Sequence, residues 1–188
     1  MKLRTLAIAA LLLTGGTPLA HAQSADAPFG SAKFVTYSDI DSVKQLKAVW
    51  DFNFVDPKSV GVVFNNIGAL IRATNEFGPH EVEPLKVVAV SHGPEVVVFA
   101  KRNYAKYKEI VDRAVSLTKQ GVRFEICRNA AAAQGFKPED LHGFVDVTPA
   151  GPYALAYYQA KGYTMNAVGA TMPTPPISDL NKADINKK

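Results

Sequence analysis

The 188-residue chain has one cysteine, Cys127, and one tryptophan, Trp50. A single thiol excludes an intrachain disulfide framework and any C-x-x-C pair, and no His-x-x-x-His spacing accompanies it, so a structural zinc site has no ligand set. There is no G-x-G-x-x-G and no P-loop, which leaves nucleotide binding without a motif. The 21 Lys and Arg and 17 Asp and Glu are dispersed. No basic stripe with interleaved aromatics forms, so nothing points to nucleic acid as a partner. Beyond the N-terminus no stretch approaches the roughly 18 apolar residues of a membrane span.

What the N-terminus does contain is a three-part pattern. Lys2 and Arg4 precede an apolar run from Leu6 to Leu13, Gly15, Gly16 and Pro18 break it, and Ala20-His21-Ala22 offers a small-x-small cleavage site. These are the parts of a secretory signal peptide, with cleavage expected after Ala22 and the bacterial periplasm as the natural destination. Losing Lys2 and Arg4 takes the formal net charge from +4 to +2, so the basic balance belongs partly to the discarded segment. The remainder suffices for one domain with an ordinary core. In an oxidising compartment an unpaired cysteine is either buried and inert or kept for its chemistry.

Along the mature chain, residues 23–46 read as an N-terminal extension and 169–188, with Pro173, Pro175, Pro176 and a Lys-rich end, as a tail. Residues 47–168 form the domain between them. "KAVWDFNF" alternates Ala48, Trp50, Phe52 and Phe54 on one face, as a half-buried strand does. "SVGVVF" is a short β-branched run read as strand. Asn65 or Asn66 then caps a helix carrying Ile67, Leu70, Ile71, Thr74 and Phe77 on one face. "LKVVAVS" is a buried strand ending at His92-Gly93-Pro94. A helix with Tyr104, Tyr107, Val111, Ala114, Val115 and Thr118 follows Asn103 and stops at Gly121. "VRFEI" is the next strand, with Cys127 opening a helix behind it. "FVDV", a helix from Tyr153 to Lys161 and the short strand "YTMN" complete the series. Strands alternating with helices give an α/β class: a three-layer α/β/α sandwich on a mainly parallel sheet of about five strands.

In such sheets ligands bind beyond the carboxyl ends of the strands. The residues expected there are Asn65 and Asn66, His92 and Gly93, Cys127, Arg128 and Asn129, then Pro149 and Gly151. Cys127 is the candidate catalytic residue and Arg128, Asn129, His92, Gly93, Asn65 and Asn66 the candidate substrate-binding ones. Each also has a plainer reading. Cys127 fits a packed strand end as a small hydrophobe, His92 a satisfied loop histidine, Arg128 a partner for Glu125, and the asparagines a helix cap.

"ICRNAAAAQG", together with "VWDFNFVDPKSVGVVFNNIGALIRATNEFG", "LKVVAVSHGPEV", "GVRFEICRNA" and "VDVTPAGPYALAYYQAKGY", resembles the DsrE/DsrF-like sulfur-relay family in its exported branch, over about Lys47 to Asn166. The resemblance implies a flavodoxin-like fold, assembly into a trimer or hexamer, and sulfane sulfur carried as a persulfide on Cys127; with no nucleotide or zinc motif in the sequence, no cofactor and no metal are expected. Sulfur donor and acceptor are not legible, and Arg128 and Asn129 beside the thiol depart from the cytoplasmic relays. The competing expectation is a non-catalytic oligomeric module that binds a small anion or thiophilic metal at the same edge. Two further expectations bear on structure: Cys127 is partly exposed, and the aromatic strand "KAVWDFNF" lies near the sheet edge, where a lone subunit would offer it for pairing.

Export gives the first prediction. Intact mass of the protein recovered from the periplasm should correspond to a chain beginning at Gln23, and retention of residues 1–22 would overturn the assignment of a cleaved signal.

Overall fold

The computed structural model describes residues 32–79 and 83–168. The signal segment, the start of the N-terminal extension and the tail at 169–188 lie outside the described residues. The domain begins at Tyr37. Among the described residues it holds five strands, β1 (Lys47–Phe52), β2 (Lys86–Ser91), β3 (Val122–Cys127), β4 (Val145–Thr148) and β5 (Thr164–Val168), and four α-helices, α1 (Val60–Phe77), α2 (Tyr104–Lys119), α3 (Arg128–Ala133) and α4 (Gly151–Ala160). All strand pairs are parallel, in the order β4-β3-β2-β1-β5. No helix among the described residues is long and apolar enough to cross a membrane.

Alternation along the strands divides the core in two. Ala48, Trp50 and Phe52 of β1, Val87 and Ala89 of β2, and Phe124 and Ile126 of β3 face α1, α2 and α3 in one large apolar cluster. Val49, Val88 and Val90 point the other way, against Ala154, Leu155 and Tyr158 of α4. Helices therefore cover both faces, as the alternating pattern predicts. One helix of ten residues covers the second face, and that face also carries Asp51, His92, Arg123, Glu125 and Asp146 in its alternating positions.

Three expectations are corrected. The run "SVGVVF" is not a strand: a 3-10 turn at Pro57–Ser59 leads straight into α1, with Asp56 Oδ1 accepting the Lys58 N–H at 3.0 Å. Val60, Val63, Phe64 and Ile67 are its buried residues, spaced i, i+3, i+4 and i+7. The helical stripe outweighs the β-branched propensity of the valines, because tertiary burial of one face contributes more than propensity withholds. Ser59, not an asparagine, stands at the N-cap, and Asn65 and Asn66 are exposed in the second turn. Nor is β1 an open edge, since it pairs with β2 on one side and β5 on the other.

Among the loops, His142 is unusual. Its ring stacks on Phe144 at 5.6 Å between centroids and meets Tyr104 edge-on at 5.8 Å, and its Nε2 is buried with no hydrogen-bond partner among the described residues. Burial holds its pKa below the ordinary 6.5, and the charge of Lys101 adds to that. Since the unfolded chain then binds this proton more readily than the folded one, the neutral imidazole's contribution to stability is complete above about pH 6.5 and is lost as pH falls through the lowered folded value. Urea unfolding at about pH 7.5 and about pH 5.5 should show a smaller acid-induced fall in midpoint for His142→Phe than for the native chain. An equal fall in both would remove His142 as the cause.

Candidate functional site

The parallel sheet brings the carboxyl ends of four strands to one edge. Along it, Cys127 of β3 stands opposite Thr148 of β4, Ser91 of β2 opposite Ile126 of β3, and Phe52 of β1 opposite Ser91. The ladder continues past β2, because the His92 N–H donates to the Phe52 carbonyl at 3.2 Å.

Cys127 ends β3 and is the N-cap of α3, and its Sγ accepts the Ala130 N–H at 3.4 Å. The bond is reasonable for its type: a cap satisfies one of the orphan donors of a first helical turn, and sulfur does so at a longer distance than oxygen. The residue is only 5% exposed, not partly exposed as expected. The physical reason is that β3 lies inside the sheet, with β2 and β4 on either side, and α3 turns back over its end. Arg128 and Asn129 begin α3 as exposed residues. Glu125, suggested as the partner of Arg128, is engaged elsewhere: it is buried, accepts from the Tyr158 hydroxyl at 2.5 Å, and lies 3.4 Å from Arg123 Nε, which also bonds Asp146 at 2.8 Å. Burial, and then the bond to Glu125, push the Tyr158 hydroxyl well above the usual tyrosine range.

His92 follows β2, and its Nε2 lies 2.6 Å from Asp51 Oδ1 on β1. Both side chains are partly exposed, 19% and 25%. Gly151, the first residue of α4, packs on the same imidazole so closely that a Cβ there would fall 2.5 Å from His92 Cβ and 2.7 Å from Cγ. Gly93 is as tightly enclosed, since a Cβ would meet Asn53 Oδ1 at 2.0 Å and Glu95 Oε2 at 2.3 Å. The structure thus brings Cys127, His92, Gly93 and Gly151 to one edge. Asn65 and Asn66 stay away from it, on α1; Asn66 instead lines a cavity of about 480 Å³ with Trp50, Leu70, Thr164 and Asn166.

Asp51 and Glu95 are absent from the residues read out of the sequence. Glu95 lies in a 3-10 turn at Pro94–Phe99 and is fully buried. Its carboxyl group accepts the Phe54 N–H at 2.7 Å, the Ser91 hydroxyl at 2.6 Å and the Gly93 N–H at 3.0 Å. The signal was an acid directly before "VVVF": a charge-bearing residue within an apolar run must be paired once buried. Asp51 gave a weaker signal, one carboxylate in an otherwise apolar strand.

A model of the DsrE/DsrF-like family matches residues 58–166. Among solved structures, a protein of unknown function from Methanobacterium thermoautotrophicum is similar, with 24% identity and a TM-score of 0.52, over 65% of this chain and 98% of that one. At that identity the likeness speaks for the fold. No curated protein matches.

Removing one acceptor from the Glu95 cluster should be costly. Glu95→Gln places an amide N–H₂ against a backbone or hydroxyl donor, leaving a buried group unsatisfied at about 1–3 kcal/mol. Urea denaturation should show that loss, and a change under about 0.5 kcal/mol, as for an ordinary surface substitution, would mean the cluster does not hold the loops.

Proposed function

The chain belongs to the DsrE/DsrF-like family, which suggests a sulfur-relay role, and on that premise we propose that it carries sulfane sulfur as a persulfide on Cys127 and does so as an exported oligomer. The observation that carries the reading is the position of the chain's one cysteine, at the carboxyl edge of the sheet with a helical N–H directed at its sulfur. That N–H stabilises negative charge on sulfur, whether thiolate or persulfide, as donors at a helix start do.

The cysteine count adds a chemical constraint. A persulfide on a chain with a second thiol can be discharged as an internal disulfide, but here no second thiol exists. Sulfur loaded on Cys127 therefore leaves only to another molecule, which makes the protein a carrier between a donor and an acceptor. Burial of the thiol suits a slender donor whose terminal sulfur enters first. It is also the observation that favours the rival reading, a non-catalytic oligomeric module binding a small anion or thiophilic metal at this edge. Support for assembly comes from α4, which has no charged residue from Gly151 to Ala160 and leaves Tyr153 and Tyr157 exposed on its outer side. A helix apolar on both sides is normally covered on both.

Mass spectrometry after exposure to thiosulfate or polysulfide should show a gain of about 32 Da, one sulfur atom, on the native protein and none on Cys127→Ser. Absence of the gain on native protein would favour the binding module. Light scattering on the same two samples should give the mass of a trimer or hexamer for both, and a monomer at all concentrations would overturn assembly.

A further inference from the structure

We propose that His92 is the proton acceptor for Cys127 and that Asp51 is the positioning residue that aims it. The proposal rests on the persulfide reading above and deepens it.

Register and alternation put the two groups side by side. Ser91 is paired with Ile126, and the β2 ladder continues through the His92 N–H, so His92 stands on β2 at the level of Cys127 on β3. Val90, two residues before His92, packs on α4, and Glu125, two residues before Cys127, bonds Tyr158 of α4. Both residues therefore occupy positions on the α4 side, on strands about 4.8 Å apart. The spacing is that of the backbones: among the described residues Cys127 Sγ bonds Ala130 and His92 bonds Asp51, with no direct bond between the two, so the transfer runs through one water. The Cys127 sulfur acts toward Ala130 as an acceptor, so its own proton remains to be given.

The imidazole is held on two sides. Nε2 faces Asp51, and the Cβ–Cγ–Cδ2 edge lies against Gly151. A neutral imidazole that donates Nε2–H to a carboxylate carries its lone pair on Nδ1, so Asp51 selects the tautomer in which Nδ1 is the base. Of the other charged groups on the packed elements, Glu125 of β3 is committed to Tyr158 of α4 and to Arg123, Asp146 of β4 to Arg123, and Glu95 of the turn after β2 to Phe54, Ser91 and Gly93, while Arg128 beside Cys127 is an exposed cation. Asp51 is the carboxylate left for His92. As a partly exposed pair the two contribute little to stability, about 0–1 kcal/mol, so holding the fold together is a poor account of their contact. Asp51 also precedes the residues matched by the family model.

The step balances without an oxidant or reductant. With a hydropersulfide donor R–S–SH, the Cys127 proton passes to His92 Nδ1 and the Cys127 sulfur bonds the outer sulfane sulfur. The donor S–S bond breaks with its electron pair going to RS⁻, which takes the proton back from His92. The products are Cys127–S–SH and R–SH.

The experiment follows the rate of single-sulfur gain by mass spectrometry with glutathione hydropersulfide as donor, for native protein, His92→Ala, Asp51→Asn and Cys127→Ser. At about pH 7, His92→Ala should load about 100-fold more slowly, the lower end for loss of a general base, and added imidazole should restore part of the rate. Asp51→Asn should lose about tenfold, as when the carboxylate orienting a functional histidine is removed. At about pH 9.5, where hydroxide can take the thiol proton in place of a side-chain base, both should come within about threefold of native. A purely structural role would slow loading equally at both pH values; that result, or native rates at pH 7, overturns the relay while the carrier stands. If His92→Ala does not fold by circular dichroism, Asp51→Asn, which keeps the shape, decides by the same two criteria. Loss of loading in native protein, or equal loading by Cys127→Ser, overturns the persulfide reading and the relay with it.

Discussion

The geometry at the carboxyl edge depends on one buried carboxyl group. Glu95 has no access to solvent, and burying such a group is costly unless its oxygens are bonded. Its three donors come from the end of β1, the end of β2 and the glycine between His92 and Pro94. Satisfying them draws the Gly93 backbone in until no side chain fits there. His92, one residue earlier, inherits its direction from that anchor, and Gly151 closes on the ring from α4. The polar edge is in this sense assembled around Glu95, although Glu95 itself faces no solvent.

Chemistry and core are segregated by the period-two alternation of the strands. The α1, α2 and α3 side is filled with aromatic and aliphatic residues, among them Phe64 and Phe124 in edge-to-face contact at 5.4 Å. The α4 side mixes three valines with Asp51, His92, Arg123, Glu125 and Asp146. A substitution one position along a strand thus falls on a different kind of surface, one side sensitive to volume except at Ser91, whose hydroxyl bonds Glu95, and the other to charge and hydrogen bonding as well.

How far the sequence disclosed this arrangement varied with the range of the interaction concerned. β2, β3 and the junction at Cys127 were legible because apolar runs and the glycine at 121, with φ +90°, are local signals. The start of α1 was not, since a valine-rich segment satisfies a strand pattern and a helical stripe at once and only packing decides between them. The neighbours of β1 were hidden too: alternation says that a strand is half buried but not which strands flank it. Asp51 meets His92, and Glu95 meets Phe54, across 41 residues of chain, a distance at which no spacing rule operates. The burial of Cys127 belongs with these, for it follows from where β3 sits among the other strands.

The strand order also has a history in time. Lys47 of β1 finds Lys86 of β2 early in the chain, but the other side of β1 is closed only by β5, where Ala48 pairs with Thr164. β5 emerges last of the described strands, so that side of β1 stays open for the whole interval between the arrival of β2 and that of β5. Throughout it β1 presents an unpaired ladder of N–H and C=O groups beside Trp50 and Phe52, although the finished sheet leaves no such gap. The aromatic strand is therefore an edge until β5 arrives and an interior strand afterwards, and the last short strand among the described residues serves as its cover.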